Sequence, residues 1–278
     1  WLARLQNVVD ELLAFFARWM PSGAFSRQAL AKLWRFGGYV LAANLLDAAY
    51  TRLQALLLGQ LSGPGQLGQY NLAQNVQQAP TNLVATVLNR VGLASFSPLA
   101  ADPARLKEAL RRTLTASMFA FAPAMLGLSL LSVFVVPPVF GRDWQLAARL
   151  LAVLALAAIP WPWHVLNLVA LNALGQPRLV LRIELAKKTT AALLVLVAAP
   201  FGALAVAWAV VAGSFLSLVF NTLYMARLLD YGLLRQGRDL LPTFLACAAA
   251  AGFSAVAYAL AGSHGTIWGL GLACAVYA

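Results

Sequence analysis

Polar side chains recur at helical spacing inside two long apolar segments. The first segment carries Asn44, Asp47, Thr51 and Gln54, which share one face of a helix because they lie three, four and three positions apart. Arg52 lies toward the Asn44 and Thr51 side of that face. An ionised side chain at the centre of a bilayer costs at least about 2.5 kcal/mol if it contacts lipid. We therefore expect either an internal ion pair that orients two helices or the lining of a hydrated cavity.

The second segment carries a longer stripe of carboxamides, which lie within an arc of about 100° on a helix. They are Asn71, Gln74, Asn75, Gln78, Asn82 and Asn89, with Tyr70, Gln77 and Thr81 beside them. Amide contacts between membrane helices normally involve few residues, so a stripe of this length favours the lining of a hydrated cavity. Pro80 interrupts the same segment and predicts either a moving gate or a static kink.

The chemistry of these stripes fits a glycan on a phosphate-bearing carrier. Amides and tyrosine hydroxyls donate and accept neutral hydrogen bonds, as sugar hydroxyls do. Arg52, together with Arg90 near the end of the second segment, can take a phosphate through bidentate contacts. Many neutral amides with few cations favour a large glycan on an anionic carrier over a small inorganic ion.

These segments belong to a chain with the composition of a membrane protein. Its 278 residues are 62% hydrophobic and 10% charged, against about 45–50% and roughly 25% in soluble domains. Apolar runs of helix length predict an all-α integral membrane protein with about eight transmembrane helices. They cover approximately 36–60, 66–97, 113–137, 145–174, 179–199, 202–225, 241–261 and a truncated 266–278. Residues 1–20 predict an amphipathic helix that lies in the membrane interface or packs on a further span.

The net charge of +11 is interpreted as a signal of topology. Fourteen of the 20 basic residues lie at 27–35, just before the first predicted span, or in the loops after spans two, four and six with their flanks, whereas the intervening loops hold only Arg142. The positive-inside rule places the first group in the cytoplasm. The net charge therefore does not indicate nucleic-acid binding. We expect residues 1–35 to be a cytoplasmic lead-in and interlobe linker, and residues 36–278 to be the membrane bundle.

Other kinds of site receive little support from the sequence. Its two cysteines and two histidines lack the spacing of metal ligands, so no metal or cofactor is expected. His164 is interpreted as a buried histidine rather than a proton relay. Glu184 with Lys187 and Lys188 is interpreted as an ordinary surface pairing on a helix.

Several stretches resemble one family of transporters, and they lie at 33–37, 68–81, 88–91, 140–144, 173–175 and 235–240. Together they resemble the Wzx-type polysaccharide transporters, especially the colanic-acid and lipopolysaccharide exporter branch. That family shares a superfamily with the MATE antiporters and the peptidoglycan-precursor flippase MurJ. The resemblance covers about residues 26–245 and implies a two-lobed fold of fourteen helices, with this chain as the second lobe and an N-terminal lobe of the same protein ahead of it.

What the resemblance implies is a flippase, not an enzyme. It would move an undecaprenyl-diphosphate-linked oligosaccharide across the bacterial inner membrane by alternating access, for polysaccharide or lipopolysaccharide biosynthesis. By matched position, Asp47, Arg52 and the stripe of the second span would line the cavity, and proton or sodium coupling would act on Asp47. A MATE-like cation-coupled antiporter is one alternative, and it would need more coupling carboxylates and a more aromatic pocket. A membrane glycan polymerase or ligase is the other, and it would need large periplasmic loops.

Overall fold

The computed structural model describes residues 27–261, with side chains over 37–252 apart from residue 40. Within these residues all regular structure is helical, as expected. The α-helices are α1 (Arg27–Leu61), α2 (Gly63–Phe96), α3 (Pro103–Phe140), α4 (Gln145–Ala158), α5 (Trp161–Ala173), α6 (Pro177–Ala198), α7 (Ala203–Leu229) and α8 (Leu233–Ala261). Short 3-10 helices occur at Ser97–Leu99, Arg142–Trp144 and Ala199–Phe201.

Seven of the predicted spans correspond to these helices, the fourth of them to α4 and α5 together. The predicted span at 266–278 and the amphipathic segment 1–20 lie outside the described residues. Helix α1 begins at Arg27, well before the predicted start of the first span at residue 36. The chain separates into two units between Gly38 and Tyr39, and the contacts described below belong to the second. The boundary between lead-in and bundle at residue 35 stays a prediction.

The fourth predicted span is interrupted at Ile159 and Pro160. Proline has no amide hydrogen to donate to the preceding turn, so two prolines in this stretch, Pro160 and Pro162, disfavour one continuous helix. Helix α5 begins anew with the amide of His164 donating to the carbonyl of Pro160 at 3.1 Å. The 14 residues of α4 and 13 of α5 are each about 20 Å long. Both halves are therefore needed to cross a bilayer core of about 30 Å.

Three segments in the described part of the chain are long and apolar enough to cross a membrane. They are Pro103–Phe140, Arg142–Ala173 and Ala203–Leu229. Large apolar side chains cover much of the outer surface, and Leu83, Val197 and Phe201 are 73%, 71% and 79% exposed. Such an apolar exterior requires a covering of lipid or protein.

Two clusters of buried apolar side chains hold the helices together, one toward each end of the bundle. One joins α2, α3, α5, α6, α7 and α8, and includes Phe96, Leu106, Leu166, Met225 and Leu240. The other joins α1, α2, α3, α4, α6 and α7, and includes Leu58, Tyr70, Leu150, Val195 and Val206. Helices α4 and α5 run between the two clusters, so this broken pair forms the centre of the bundle.

Contacts between helix ends show which loops lie together. At one end, Lys107 at the start of α3 donates to the carbonyl of Asp230, just after α7, at 2.9 Å. At the other end, Gln66 near the start of α2 accepts from the amide of Ala203 at the start of α7, at 3.0 Å. The first end, called the basic end below, has basic residues in the helix turns that flank the loops after α2, α5 and α7, whereas the described loops of the opposite end hold one basic residue, Arg142. This distribution agrees with the alternation expected from the sequence.

Candidate functional site

Helix α1 presents part of its predicted polar face outward. Asn44, Asp47 and Thr51 are exposed, and the Thr51 hydroxyl donates to the carbonyl of Asp47 at 3.0 Å. Gln54 is buried instead, with 4% of its surface exposed, and its amide nitrogen donates to the hydroxyl of Tyr50 at 2.8 Å. The first three residues therefore remain available to a ligand, whereas Gln54 packs inside the bundle.

Asp47 is paired with a lysine of another helix rather than with Arg52. The Nζ of Lys188 in α6 forms an ion pair with Oδ1 of Asp47, and it lies 5.0 Å from the centre of the Tyr50 ring. Arg52 is exposed and makes no ion pair with any described residue. At 100° per residue it lies on the side of α1 that carries Leu56, away from Asp47. The structure thus contains an interhelical ion pair at Asp47, and Lys188 is the partner that sequence reasoning missed.

The other charges of α6 also lie inside the bundle. Nζ of Lys187 is 2.7 Å from Oε1 of Glu184, and the two side chains are only 11% and 13% exposed. The interpretation of Glu184, Lys187 and Lys188 as an ordinary surface pairing was therefore wrong, and so was the assignment of both lysines to a loop flank. They occupy the central turns of α6, a helix of 22 residues and about 33 Å. The length of α6 is the sequence signal that could have placed Lys187 and Lys188 at membrane depth. Charges in the middle of a membrane helix mark a functional site by default.

Two cation–π contacts hold α6 beside α1. The guanidinium of Arg178 lies 5.7 Å from the ring centre of Tyr39, and the ammonium of Lys188 lies 5.0 Å from that of Tyr50. Because residue numbers rise together along both helices, from 39 to 50 and from 178 to 188, the two helices run parallel. The predicted topology requires the same, since the first and fifth predicted spans both start on the cytoplasmic side.

The exposed face of α2 is divided lengthwise into a polar and an apolar half. The polar half, called the amide strip below, contains exposed Asn71, Asn75, Asn82 and Asn89 with half-buried Gln74 and Gln78. The apolar half contains Leu83, Val87 and Val91, which are 73%, 58% and 56% exposed. Tyr70 and Thr81 are buried on the opposite side. A helix with this division is suited to lie between a water-filled cavity and lipid, because amides are costly in lipid and aliphatic groups are not.

The outermost amides are not used for packing. Within the part of the chain that the structure describes, Asn71, Asn75 and Asn82 make no side-chain hydrogen bond. Asn89 donates to the carbonyl of Ala85 in its own helix at 2.8 Å, which leaves its carbonyl oxygen free to accept. Arg90 is likewise exposed, and no described residue forms an ion pair with it. The amide strip therefore offers donors and acceptors to a ligand.

Two further amides of α2 have a structural role instead. Gln69 donates to the carbonyl of Asp143 at 2.6 Å and accepts from the amide of Ala147 at 2.9 Å. Gln66 accepts from the amide of Ala203 at 3.0 Å. The first turn of a helix has backbone N–H groups without intrahelical partners, and these glutamines satisfy one such group in α4 and one in α7. The polar run of α2 thus combines two helix caps with the amide strip.

Gln69→Ala is expected to lower the free energy of unfolding by about 1–2 kcal/mol, because the amide of Ala147 and the carbonyl of Asp143 lose a partner. Thermal unfolding of the purified full-length protein would measure this. Asn71→Ala is the matched control, since it removes a carboxamide two residues away that has no partner in the described chain. An equal effect of both substitutions would contradict the capping role.

A buried polar network connects α5 to α7 and α8. His164 is buried, as interpreted from the sequence, and its Nδ1 lies 2.7 Å from Nδ2 of Asn221. Gln236 bonds to the indole of Trp163 and, at 3.0 Å, to Asn167. These bonds link helices in the interior and do not reach the amide strip. Among the described residues, no three His, Cys, Asp or Glu side chains come together as metal ligands would.

Long helices with an apolar exterior, polar strips and charges at membrane depth define a multi-pass helical membrane protein. Residues 5–149 match the family model described as polysaccharide biosynthesis protein, and the chain belongs to that family. The resemblance to the Wzx-type transporters is confirmed by this match and by the relatives named next.

The curated relatives act in the synthesis of several polysaccharides. The lipopolysaccharide biosynthesis protein WzxC of Escherichia coli K12 is 30% identical over 150 residues, which are 53% of this chain and 30% of that protein. The teichuronic acid biosynthesis protein TuaB of Bacillus subtilis 168 is 27% identical, over 51% of this chain and 29% of that protein. The succinoglycan biosynthesis transport protein ExoT of Rhizobium meliloti 1021 is 24% identical, over 51% and 28%. The matched segments thus span less than a third of each relative.

The fold is that of a flippase of known structure. The lipid II flippase MurJ, in an inward closed conformation, superposes with a TM-score of 0.71 at 15% identity. The superposition covers 91% of this chain and 54% of MurJ. The expected fold, about half of a two-lobed helical transporter, is confirmed by this likeness.

Proposed function

We propose that the full-length protein flips an oligosaccharide, linked to undecaprenyl diphosphate, across the bacterial inner membrane. The observation that carries this proposal is the exposed amide strip of α2, in a bundle that also holds charged residues at membrane depth on α1 and α6. Family membership and the printed functions of WzxC, TuaB and ExoT support it. The amide strip would bind sugar hydroxyls through neutral hydrogen bonds, which tolerate many orientations of a glycan.

The cationic groups of the proposed path lie on three helices. Lys188 on α6 is 22% exposed and reaches Asp47, whereas Arg52 on α1 and Arg90 on α2 are exposed. Guanidinium and ammonium groups form charge-assisted hydrogen bonds with phosphate oxygens. We infer that the diphosphate of the carrier contacts these groups while the sugars lie along the amide strip.

The remaining wall of the cavity would come from the N-terminal lobe of the same protein. MurJ, whose fold this chain shares over 54% of its length, is about twice as long as the segment superposed on it. A polar strip exposed on one lobe needs a second polar surface or water opposite it, because it cannot face lipid. Alternating access would then move the two lobes relative to each other.

Asp47 is the residue on which proton or sodium coupling would act. Its carboxylate is 63% exposed although Lys188 is bound to it, so a proton or a sodium ion can approach from the cavity. Neutralising the carboxylate would release Lys188 from its partner. Coupling and anion binding would thereby use the same pair of side chains.

The proposal is tested by restoring surface polysaccharide in a bacterium whose own flippase gene is deleted. Expression of the full-length protein in a strain with the matching glycan should restore the polymer. Asn75→Leu with Asn82→Leu should reduce it at least fivefold at an unchanged amount of membrane protein, because both changes remove hydrogen-bonding groups from the amide strip.

The matched control is Leu83→Phe, which alters the apolar half of the same helix face and should leave the polymer amount unchanged. The proposal fails if the unaltered protein restores no polymer in any strain with a matching glycan. Full polymer synthesis by the double leucine variant would remove the amide strip from the substrate path.

A further inference from the structure

A pocket of about 150 Å³ opens between α6 and α7 near the basic end, and no residue of the amide strip lines it. Its lining includes Arg182 and Ile183 of α6 and Phe220, Leu223, Tyr224 and Arg227 of α7. The pocket can hold a phosphate group and the atoms next to it.

The two arginines give the pocket a positive charge that no acidic side chain offsets. Arg182 and Arg227 are exposed, and neither forms an ion pair with a described residue. The larger cavity between α3 and α8 at the same end is different, because Glu108 and Asp239 lie in its lining. There, Nε of Arg111 is 3.1 Å from Oδ2 of Asp239. An anion is therefore favoured between α6 and α7.

The rest of the pocket is apolar and open to the side of the bundle. Leu223 is 50% exposed, and Phe220 and Tyr224 are half-buried beside it. Further along the helices α6 and α7 approach closely, since a Cβ on Gly213 would lie 3.6 Å from that of Ala191. The groove thus runs from the two arginines along an aromatic and aliphatic surface toward the middle of the bundle.

The position of the arginines matches the level of lipid headgroups. Arg227 lies in the last turn of α7, and Arg182 lies in the second turn of α6, which begins at Pro177. Basic pockets between transmembrane helices on the cytoplasmic side bind the phosphates of anionic lipids. We propose that this pocket binds an anionic phospholipid of the surrounding leaflet, with its phosphate between Arg182 and Arg227 and one acyl chain along Phe220 and Leu223.

The test is native mass spectrometry of the purified full-length protein, titrated in detergent with phosphatidylglycerol and, separately, with phosphatidylcholine. The unaltered protein should retain phosphatidylglycerol at least tenfold more tightly than phosphatidylcholine. Arg182→Gln with Arg227→Gln should raise the apparent dissociation constant for phosphatidylglycerol at least tenfold. Arg182→Lys with Arg227→Lys keeps both charges, and it should raise the constant less than the glutamine pair does.

The matched control is Arg112→Gln with Arg238→Gln, which removes two exposed charges from the basic end outside this pocket and should leave the constant unchanged. An equal loss in this control would assign binding to the general charge of that end and overturn the site. Retention by the Arg182/Arg227 glutamine pair, or no phosphatidylglycerol on the unaltered protein, would also overturn it. Displacement of the lipid by millimolar inorganic phosphate would identify a free-phosphate site instead.

Discussion

Glu184→Gln is expected to lower the free energy of unfolding by about 3–5 kcal/mol, because it leaves the Lys187 ammonium charged and unpaired inside the bundle. In the native protein the two groups are 2.7 Å apart, and their side chains are 13% and 11% exposed. Lys188 follows directly in the chain, so an unpaired Lys187 also experiences a like charge. A loss of this size is a large fraction of the stability of a typical folded domain.

Thermal unfolding of the purified full-length protein in detergent would measure the effect. Glu184→Gln combined with Lys187→Met should recover most of the loss, since the second change removes the unpaired charge. Glu108→Gln is the control, because Glu108 pairs with Arg112 on the surface, where the two side chains are 46% and 79% exposed. Exposed pairs contribute less than about 1 kcal/mol. Similar losses for Glu184→Gln and Glu108→Gln would show that Lys187 does not depend on Glu184.

The helices could be predicted from the sequence because membrane spans obey strong local rules. A span needs about 20 apolar residues in succession, and proline and glycine mark the connections. The rule locates α6 and α7 well, and it joins α4 and α5 because the apolar run continues through Pro160. The helix breaks there because Pro160 cannot donate a backbone hydrogen bond. The cause of the break is therefore visible in the sequence.

The candidate site was less predictable, because a helical wheel identifies a face but not its neighbour. Gln54 and Tyr70 belong to the predicted polar faces, yet they are 4% and 2% exposed and pack inside the bundle. Gln69 resembles its neighbours on α2 in the sequence, but it caps α4. Such differences depend on which helix packs against each face, and the spacing of residues within one helix does not show this.

The partner of Asp47 illustrates the same limit at long range. Lys188 is 141 positions away in the chain, whereas Arg52 is five positions away on the same helix. The sequence predicted an ion pair between two helices as one alternative but did not identify the partner of Asp47; Arg52 lies about 140° from it around α1. Only the placement of α6 beside α1 brings the lysine to the carboxylate. In the structure, the charged site of the proposed path is therefore the pair formed by Asp47 of α1 and Lys188 of α6, and not residues of α1 alone.

Asp47→Asn and Lys188→Gln are each expected to reduce flipping at least tenfold, measured as surface polysaccharide per amount of membrane protein. Each change leaves one charge at membrane depth without its partner, and Lys188→Gln also removes a cation from the proposed path. Arg112→Gln is the control, because it removes a positive charge of the exposed surface at the basic end and should leave the polymer amount unchanged.

The exchange Asp47→Lys with Lys188→Asp separates a structural pair from a functional one. It restores opposite charges on α1 and α6, so the amount of folded protein should return toward that of the unaltered protein. Flipping should stay at least tenfold reduced, because the cation has moved from α6 to α1 and has left the position from which the native ammonium lies 5.0 Å from the Tyr50 ring. Polymer synthesis at the unaltered level would show that the pair only joins two helices, and the diphosphate contact would then have to come from Arg52 and Arg90.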